Sequence, residues 1–141
     1  MNQYRSQVTE VINRNVVISL ALRNGFNAFL PVYDGGVDFI LYREKDNLVH
    51  KVQLKSRWTI DKRYSDRDIW MVFPIASNWY LVPHDKLVAW ASPKITKSVS
   101  WTIKGIYHAR EPSLDIIEKC KPYRFASITE VAAEAARGDA K

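Results

Sequence analysis

One cysteine, Cys120, stands in a chain of 141 residues, so neither a disulfide framework nor a cysteine-built zinc site can form within one copy. A reducing compartment fits that usage, and a cytoplasmic or nucleoid-associated location is expected. No stretch approaches the roughly 18 uninterrupted apolar residues of a membrane span, and the opening MNQYRSQVTEVINRN has no apolar core of the secretory kind. A soluble, unsecreted protein with no membrane partner is therefore expected. Gly-rich phosphate loops are missing, the three histidines His50, His84 and His108 lack metal-ligand spacing, and no serine or cysteine nucleophile constellation is present. The chain also has no internal repeat and no low-complexity linker.

What remains is one domain's worth of residues with an excess of positive charge. Lys and Arg number 21 against 15 Asp and Glu, a formal charge of +6, and a basic surface attracts polyanions over long range. Nucleic acid is the first partner to consider, although composition by itself is equally compatible with a small basic protein that binds none.

The pattern predicts a helix over Gln3 to Asn24 with Val8, Val11, Ile12, Ile18 and Leu22 on its apolar side, stopped by Gly25. Phe26 to Val32 reads as a short apolar strand with Pro31 at its edge or end. Tyr33-Asp34-Gly35-Gly36 reads as a turn whose glycines permit positive φ. Thr59 to Asp68 is polar and charged and is expected as a loop. Ile69 to Ile75 and Trp79 to Pro83 read as two buried strands joined at Ala76-Ser77-Asn78. His84 to Trp90 is expected to open a helix, Ser92 to Ser100 is a polar lysine-bearing stretch, and SWTIKGIYHA is expected as a strand or a hairpin around Gly105. Ser113 to Lys121 reads as a short helix. A capping box at Ser127-Ile128-Thr129-Glu130 precedes an alanine-rich helix over Val131 to Arg137, so the fold is drawn as a domain over 1–125 and a short helical tail over 126–141.

Chemistry concentrates in GVDFILYREKDNLVHKVQLKSR, residues 36–57, which reads as strand, polar turn and strand. Alternation along the second strand sends Lys51, Gln53 and Lys55 to one face and Val52 and Leu54 to the other. Asp38 opens the partner strand, so pairing brings its carboxylate toward Gln53 and Lys55. A carboxylate, an amide oxygen and an ammonium meeting at a sheet edge suit a divalent metal and a phosphate.

This hairpin, with the helix before it and the strand pair after it, resembles the PD-(D/E)-x-K nuclease superfamily over roughly the first ninety residues. Its small homing-endonuclease and Holliday-junction-resolvase branches are the most similar in pattern. Asp38 stands at the aspartate position, Leu54 at x and Lys55 at the lysine, while Gln53 replaces the usual second acid. The resemblance implies an α/β fold, a single domain with a central mixed β-sheet flanked by helices around a restriction-endonuclease-like core. It also implies a Mg²⁺-dependent or Mn²⁺-dependent endodeoxyribonuclease that hydrolyses phosphodiester bonds. Asp38, the oxygen of Gln53 and the backbone carbonyl of Leu54 would hold the metal, and Lys55 would act on the attacking water and the phosphate.

An acid from the first helix is also implied, and Glu10 is the one acidic residue between Gln3 and Asn24. Glu10 could instead pair with Arg14 four residues on, with Asp34, Asp61 and Asp66 as the other acids in reach. DNA contacts are expected from Lys51, Arg57, Lys62, Arg63 and Arg67, with Trp58 or Tyr64 either stacking on a base or packing. Cutting both strands of a duplex needs two sites, so a homodimer or homotetramer is expected, with Trp90, Trp101 and Tyr107 as candidate interface residues. Two rival readings from other classes are a nuclease-like nucleic-acid-binding module that no longer cuts, and a pure interaction module.

Overall fold

The computed structural model describes residues 3–127. The helix expected over 131–137 and the capping box beyond Ser127 lie outside them. Twelve elements follow in order: α1 (Gln3–Arg23), β1 (Asn27–Phe29), β2 (Phe39–Arg43), β3 (Leu48–Leu54), β4 (Trp58–Asp61), β5 (Ile69–Ile75), β6 (Asn78–Pro83), α2 (His84–Trp90), α3 (Pro93–Thr96), β7 (Ile106–Ala109), α4 (Leu114–Cys120) and β8 (Arg124–Ser127). A mixed sheet runs β1-β2-β3-β5-β6-β8, with β4 and β7 forming a separate two-stranded ladder. Within the larger sheet β3 and β5 are parallel and every other neighbouring pair is antiparallel. The expected α/β domain with a central mixed sheet and flanking helices is what the chain forms. Among the described residues no helix is long and apolar enough to cross a membrane.

Two apolar layers cover the sheet. Val17, Leu20 and Ala21 of α1 pack with Phe39, Leu41, Val52 and Val72 on one face. Met71, Phe73 and Ile75 of β5 turn to the other, where they meet Trp58, Leu87, Trp101 and Ile116. A central strand buried on both sides reads as a continuous apolar run, and IWMVFPI is one. Joining the β5 and β6 runs takes only a tight turn at Ala76, whose φ is +55°.

Helix α1 ends as its glycine requires. Gly25 adopts φ +84°, its N–H donates to the Leu22 carbonyl at 3.2 Å, and the Phe26 N–H donates to the Ala21 carbonyl at 2.9 Å. That crossed pair of bonds satisfies the last carbonyls of the helix. The buried face is not the expected one. Val8, Val11, Ile12 and Leu22 are exposed, and the positions that meet the sheet are Val17, Leu20 and Ala21. Every residue from Gln3 to Ile12 is exposed, because this half of the helix does not pack against the sheet.

Thr59 to Asp61 is not loop but the interior of β4, buried throughout, because β7 pairs with it and hides its polar groups. Trp58 is 0% exposed and Tyr64 4% exposed, so both pack and neither can stack on a base. Trp101 is buried, with Trp90 and Tyr107 half-buried and packed against the same cluster, so this aromatic set contributes to the core. Of the strand or hairpin expected around Gly105, the strand is what forms, as β7. Ser100–Lys104 makes a single π-helical turn ended by Gly105 at φ +75°, and only then does β7 begin. β8 was not anticipated; it adds a strand beside β6.

A polar knot ties β4 to the start of α2. His84 is 0% exposed; its Nε2 accepts the Asp61 N–H at 2.9 Å, which places the ring proton on Nδ1, 3.3 Å from the Asp85 carboxylate. The Asp61 carboxylate accepts the Arg63 N–H at 2.9 Å and the Arg63 guanidinium at 2.7 Å. Burial holds the His84 pKa below its ordinary 6.5 against the opposing pull of Asp85. A lowered folded-state pKa means that folding favours the neutral ring, so stability is present above about 6.5 and is lost as pH falls below it. The urea midpoint should therefore drop on acidification through that range. His84→Gln should reduce the slope, with His50 and His108, also shifted downward mainly by burial, supplying the remainder.

Candidate active site

The hairpin places the site. Phe39 of β2 pairs with Val52 of β3, and one residue earlier the Asp38 N–H donates to the Val52 carbonyl at 2.9 Å. The same residue bonds again through its side chain, Oδ2 accepting the Leu54 N–H at 2.7 Å. Asp38 is thereby clamped to the end of β3 at two points, through its N–H and its Oδ2. On the other edge of β3 the parallel strand β5 continues the ladder, with the Lys55 N–H on the Val72 carbonyl at 2.9 Å. Gln53-Leu54-Lys55 is therefore held on one side by the Asp38 carboxylate and on the other by the β5 backbone.

These residues line a cleft of about 910 Å³ that also takes Asp34 from the turn after β1, Leu30 and Pro31, and one polar side of α1: Arg5, Ser6, Thr9, Glu10, Asn13 and Arg14. The structure thus brings Asp38, Gln53, Leu54, Lys55 and Glu10 together. Gln53 is 9% exposed, and its Oε1 is buried without a hydrogen-bond partner. A desolvated amide oxygen left unpaired costs roughly 1–3 kcal/mol. An amide oxygen in that condition, on a residue that lines a carboxylate-bearing cleft, is suited to a cation or a bound water.

Charge in the cleft is divided. Burial raises the Asp38 pKa most; the Leu54 N–H opposes this, Asp34 and Glu10 add repulsion, and Lys55 attracts. A divalent cation would relieve that repulsion, since a nearby positive charge favours the ionised carboxylate. Among the described residues no three His, Cys, Asp or Glu side chains converge closely enough to hold a metal by themselves. The donor set that fits is mixed: one Asp38 oxygen, the Gln53 amide oxygen and the Leu54 carbonyl. Mg²⁺ keeps several of its waters and needs few protein oxygens, so the residues present fit the ion.

Of the other acids, Asp34 is the one at the cleft. It also caps its own turn, Oδ1 accepting the Gly36 N–H at 2.9 Å, and of the two glycines there only Gly36 takes positive φ, +93°. Asp61 is occupied by Arg63 and Asp66 donates its N–H to the Asp85 carboxylate, and neither lines the cleft. Glu10 and Arg14 both line it, and no ion pair joins them.

None of the five expected DNA-contacting cations is in the cleft's lining. Lys51 donates to the Arg67 carbonyl, and the Arg67 guanidinium donates to the Gly35 carbonyl at 2.9 Å, tying the acidic turn to the segment before β5. Arg63 is paired with Asp61 yet keeps 72% of its side chain exposed. Lys62 lies over the Trp101 ring, 5.2 Å from its centroid, and Arg57 is half-buried. Sequence reasoning missed Arg5 and Arg14. A polar stripe at Ser6, Thr9, Glu10 and Asn13, spaced three or four apart, was the signal that this side of α1 faces a site.

No family model matches the chain, and no curated protein matches it. Among solved structures it is similar to that of a bacterial homing endonuclease, I-Ssp6803I, at 19% identity over 92% of this chain and 94% of that one, with a TM-score of 0.49.

Proposed function

We propose that the protein is a metal-dependent DNA endonuclease that hydrolyses phosphodiester bonds at this cleft. The observation that carries the reading is the end of β3, where a doubly clamped Asp38 meets a buried, unpartnered Gln53 oxygen beside Lys55. Mg²⁺ or Mn²⁺, held by Asp38, Gln53 and Leu54, would supply Lewis-acid stabilisation of charge on the phosphate. The remaining work falls to the chain. The Lys55 ammonium, with its backbone fixed by β5 and its Nζ 5.8 Å from the Tyr64 ring centroid, orients the water and offsets negative charge as it develops on phosphate oxygens. Glu10, reaching from α1, accepts a hydrogen bond from water or completes the ion's environment. Arg5, Arg14 and the exposed Lys62, Arg63 and Arg67 hold the DNA backbone without reading its sequence.

One observation favours a second reading. Gln53 in place of a carboxylate, with no three-acid cluster nearby, is what a nucleic-acid-binding module with a lapsed metal site would carry. The two readings separate in one experiment: supercoiled plasmid and branched DNA incubated with pure protein and Mg²⁺ or Mn²⁺, with and without chelator. Cutting abolished by chelator supports the enzyme. Salt-sensitive binding that survives chelator, with no cutting under either ion, supports the module.

Gln53→Glu tests the metal site without relying on activity. It restores a negative charge next to Asp38, so calorimetry should find tighter Mn²⁺ binding. It should also find affinity falling more steeply as pH falls, because two neighbouring carboxylates hold protons more strongly than one. Unchanged affinity would remove Gln53 from the donor set.

A further inference from the structure

The apolar stripe that α1 turns away from its own domain has the spacing of a helix–helix seam. Tyr4, Val8, Val11, Asn15, Ile18 and Leu22 follow one another at intervals of four and three residues over the length of the helix. An alternation of four and three is the 3.5-residue repeat that keeps one face in contact with a partner helix. Tyr4 is 72% and Leu22 59% exposed, with Val8 and Val11 also in the open, and a shallow groove of about 250 Å³ lies among Tyr4, Gln7, Val8, Val11 and Ile12. Nothing else in the described chain covers residues 3–12. A segment this short is marginal as a helix unless its apolar side is packed.

We infer that this stripe is where a second copy of the chain docks, α1 against α1, parallel and in register. Two features choose the occupant and the direction. The seam's central position is Asn15. In a parallel, in-register pair its amide meets the same amide of the other copy, whereas an antiparallel pair sets it against Val11, and a lone polar residue at such a position fixes register. Flanking charge agrees. Parallel pairing sets Gln7 beside Ile12 and Arg14 beside Ser19 of the other copy, while antiparallel pairing sets Arg14 against Arg14, a like-charge contact.

The rest of the fold leaves room for this pairing. Val17 and Leu20, which meet the sheet, lie on the side of the helix away from the seam, and Ala21 takes the flank seven residues after Arg14. Ser6, Glu10 and Asn13 of the cleft also lie away from the seam, while Val11 lines both the cleft and the seam groove. The inference is independent of the nuclease reading.

Sedimentation equilibrium of the full chain tests it. The wild type should sediment at twice its 16.3 kDa, and Val8→Lys with Val11→Lys should sediment as a monomer that keeps a cooperative urea transition, since both positions are exposed and outside the core. Asn15→Cys should give a covalent dimer on mild oxidation, with Cys120 silent because burial pushes its thiol up to about 11. A monomeric wild type, a dimer that survives the two lysines, or absence of the cross-link would overturn the proposal. So would a chain truncated after Ser127 that dimerises when the full chain does not, which would make residues 128–141 the occupant. A monomer that still cuts DNA would overturn this inference and leave the nuclease reading standing.

Discussion

Lys55→Ala should reduce DNA cleavage by roughly 10²–10⁴-fold, the range lost when a positioned proton-transfer or charge-stabilising group is removed. Salt-dependent DNA binding should change little, because a single ammonium is being removed from a larger set of cations, Arg5, Arg14, Lys62, Arg63 and Arg67 among them. Folding should be nearly unaffected, since the Lys55 N–H that continues the β3 to β5 ladder is backbone and survives the substitution. The companion variant needs more care. Asp38→Ala strips the acceptor from the Leu54 N–H as well as the charge from the cleft, and an unpaired buried donor costs roughly 1–3 kcal/mol. Asp38→Asn keeps an oxygen for Leu54 and removes only the charge. It should be folded and inactive, and Mn²⁺ calorimetry should register the lost ligand. Cleavage at wild-type rates by Lys55→Ala would place the chemistry elsewhere in the molecule.

Phe39→Ala should cost about 3–5 kcal/mol of folding stability, read as a fall in the urea midpoint. Phe39 is 0% exposed and packs among Leu20, Leu41, Val52 and Val72, where the sheet meets α1. Its removal opens a cavity under the strand that carries Asp38 one residue earlier, so the loss should reach the site as well. Metal affinity should weaken in protein that is still folded. Val49 lies on the same hairpin and is 52% exposed; Val49→Ala should stay within about 0.5 kcal/mol of wild type. Equal effects from the two substitutions would contradict the layer assignment.

Local pattern carried the hairpin, the IWMVFPI and WYLVP strands and the helix of α2, because each is a run whose period or composition has one structural solution. It also carried Asp38, Gln53 and Lys55 as one group, since strand alternation and antiparallel pairing allow little else once the hairpin is accepted. β4 was lost for the opposite reason. Thr59 and Asp61 look solvated, and only β7, some 45 residues on in the chain, together with Arg63 and His84, gives their polar groups partners.

The amino-acid sequence by itself determined the α/β class, the central strands and the residues at the end of β3, because hydrophobic period and turn chemistry are local and act before distant segments meet. Only the tertiary structure decided which side of α1 faces the sheet, that Trp58, Trp101 and Tyr64 are core, and that Asp34, Arg5 and Arg14 share the cleft with Lys55. The physical reason is burial. An apolar stripe on a helix records that something should cover it, and not whether the cover is its own sheet or another molecule. In this chain the strongest stripe of α1 is the one its own domain leaves open.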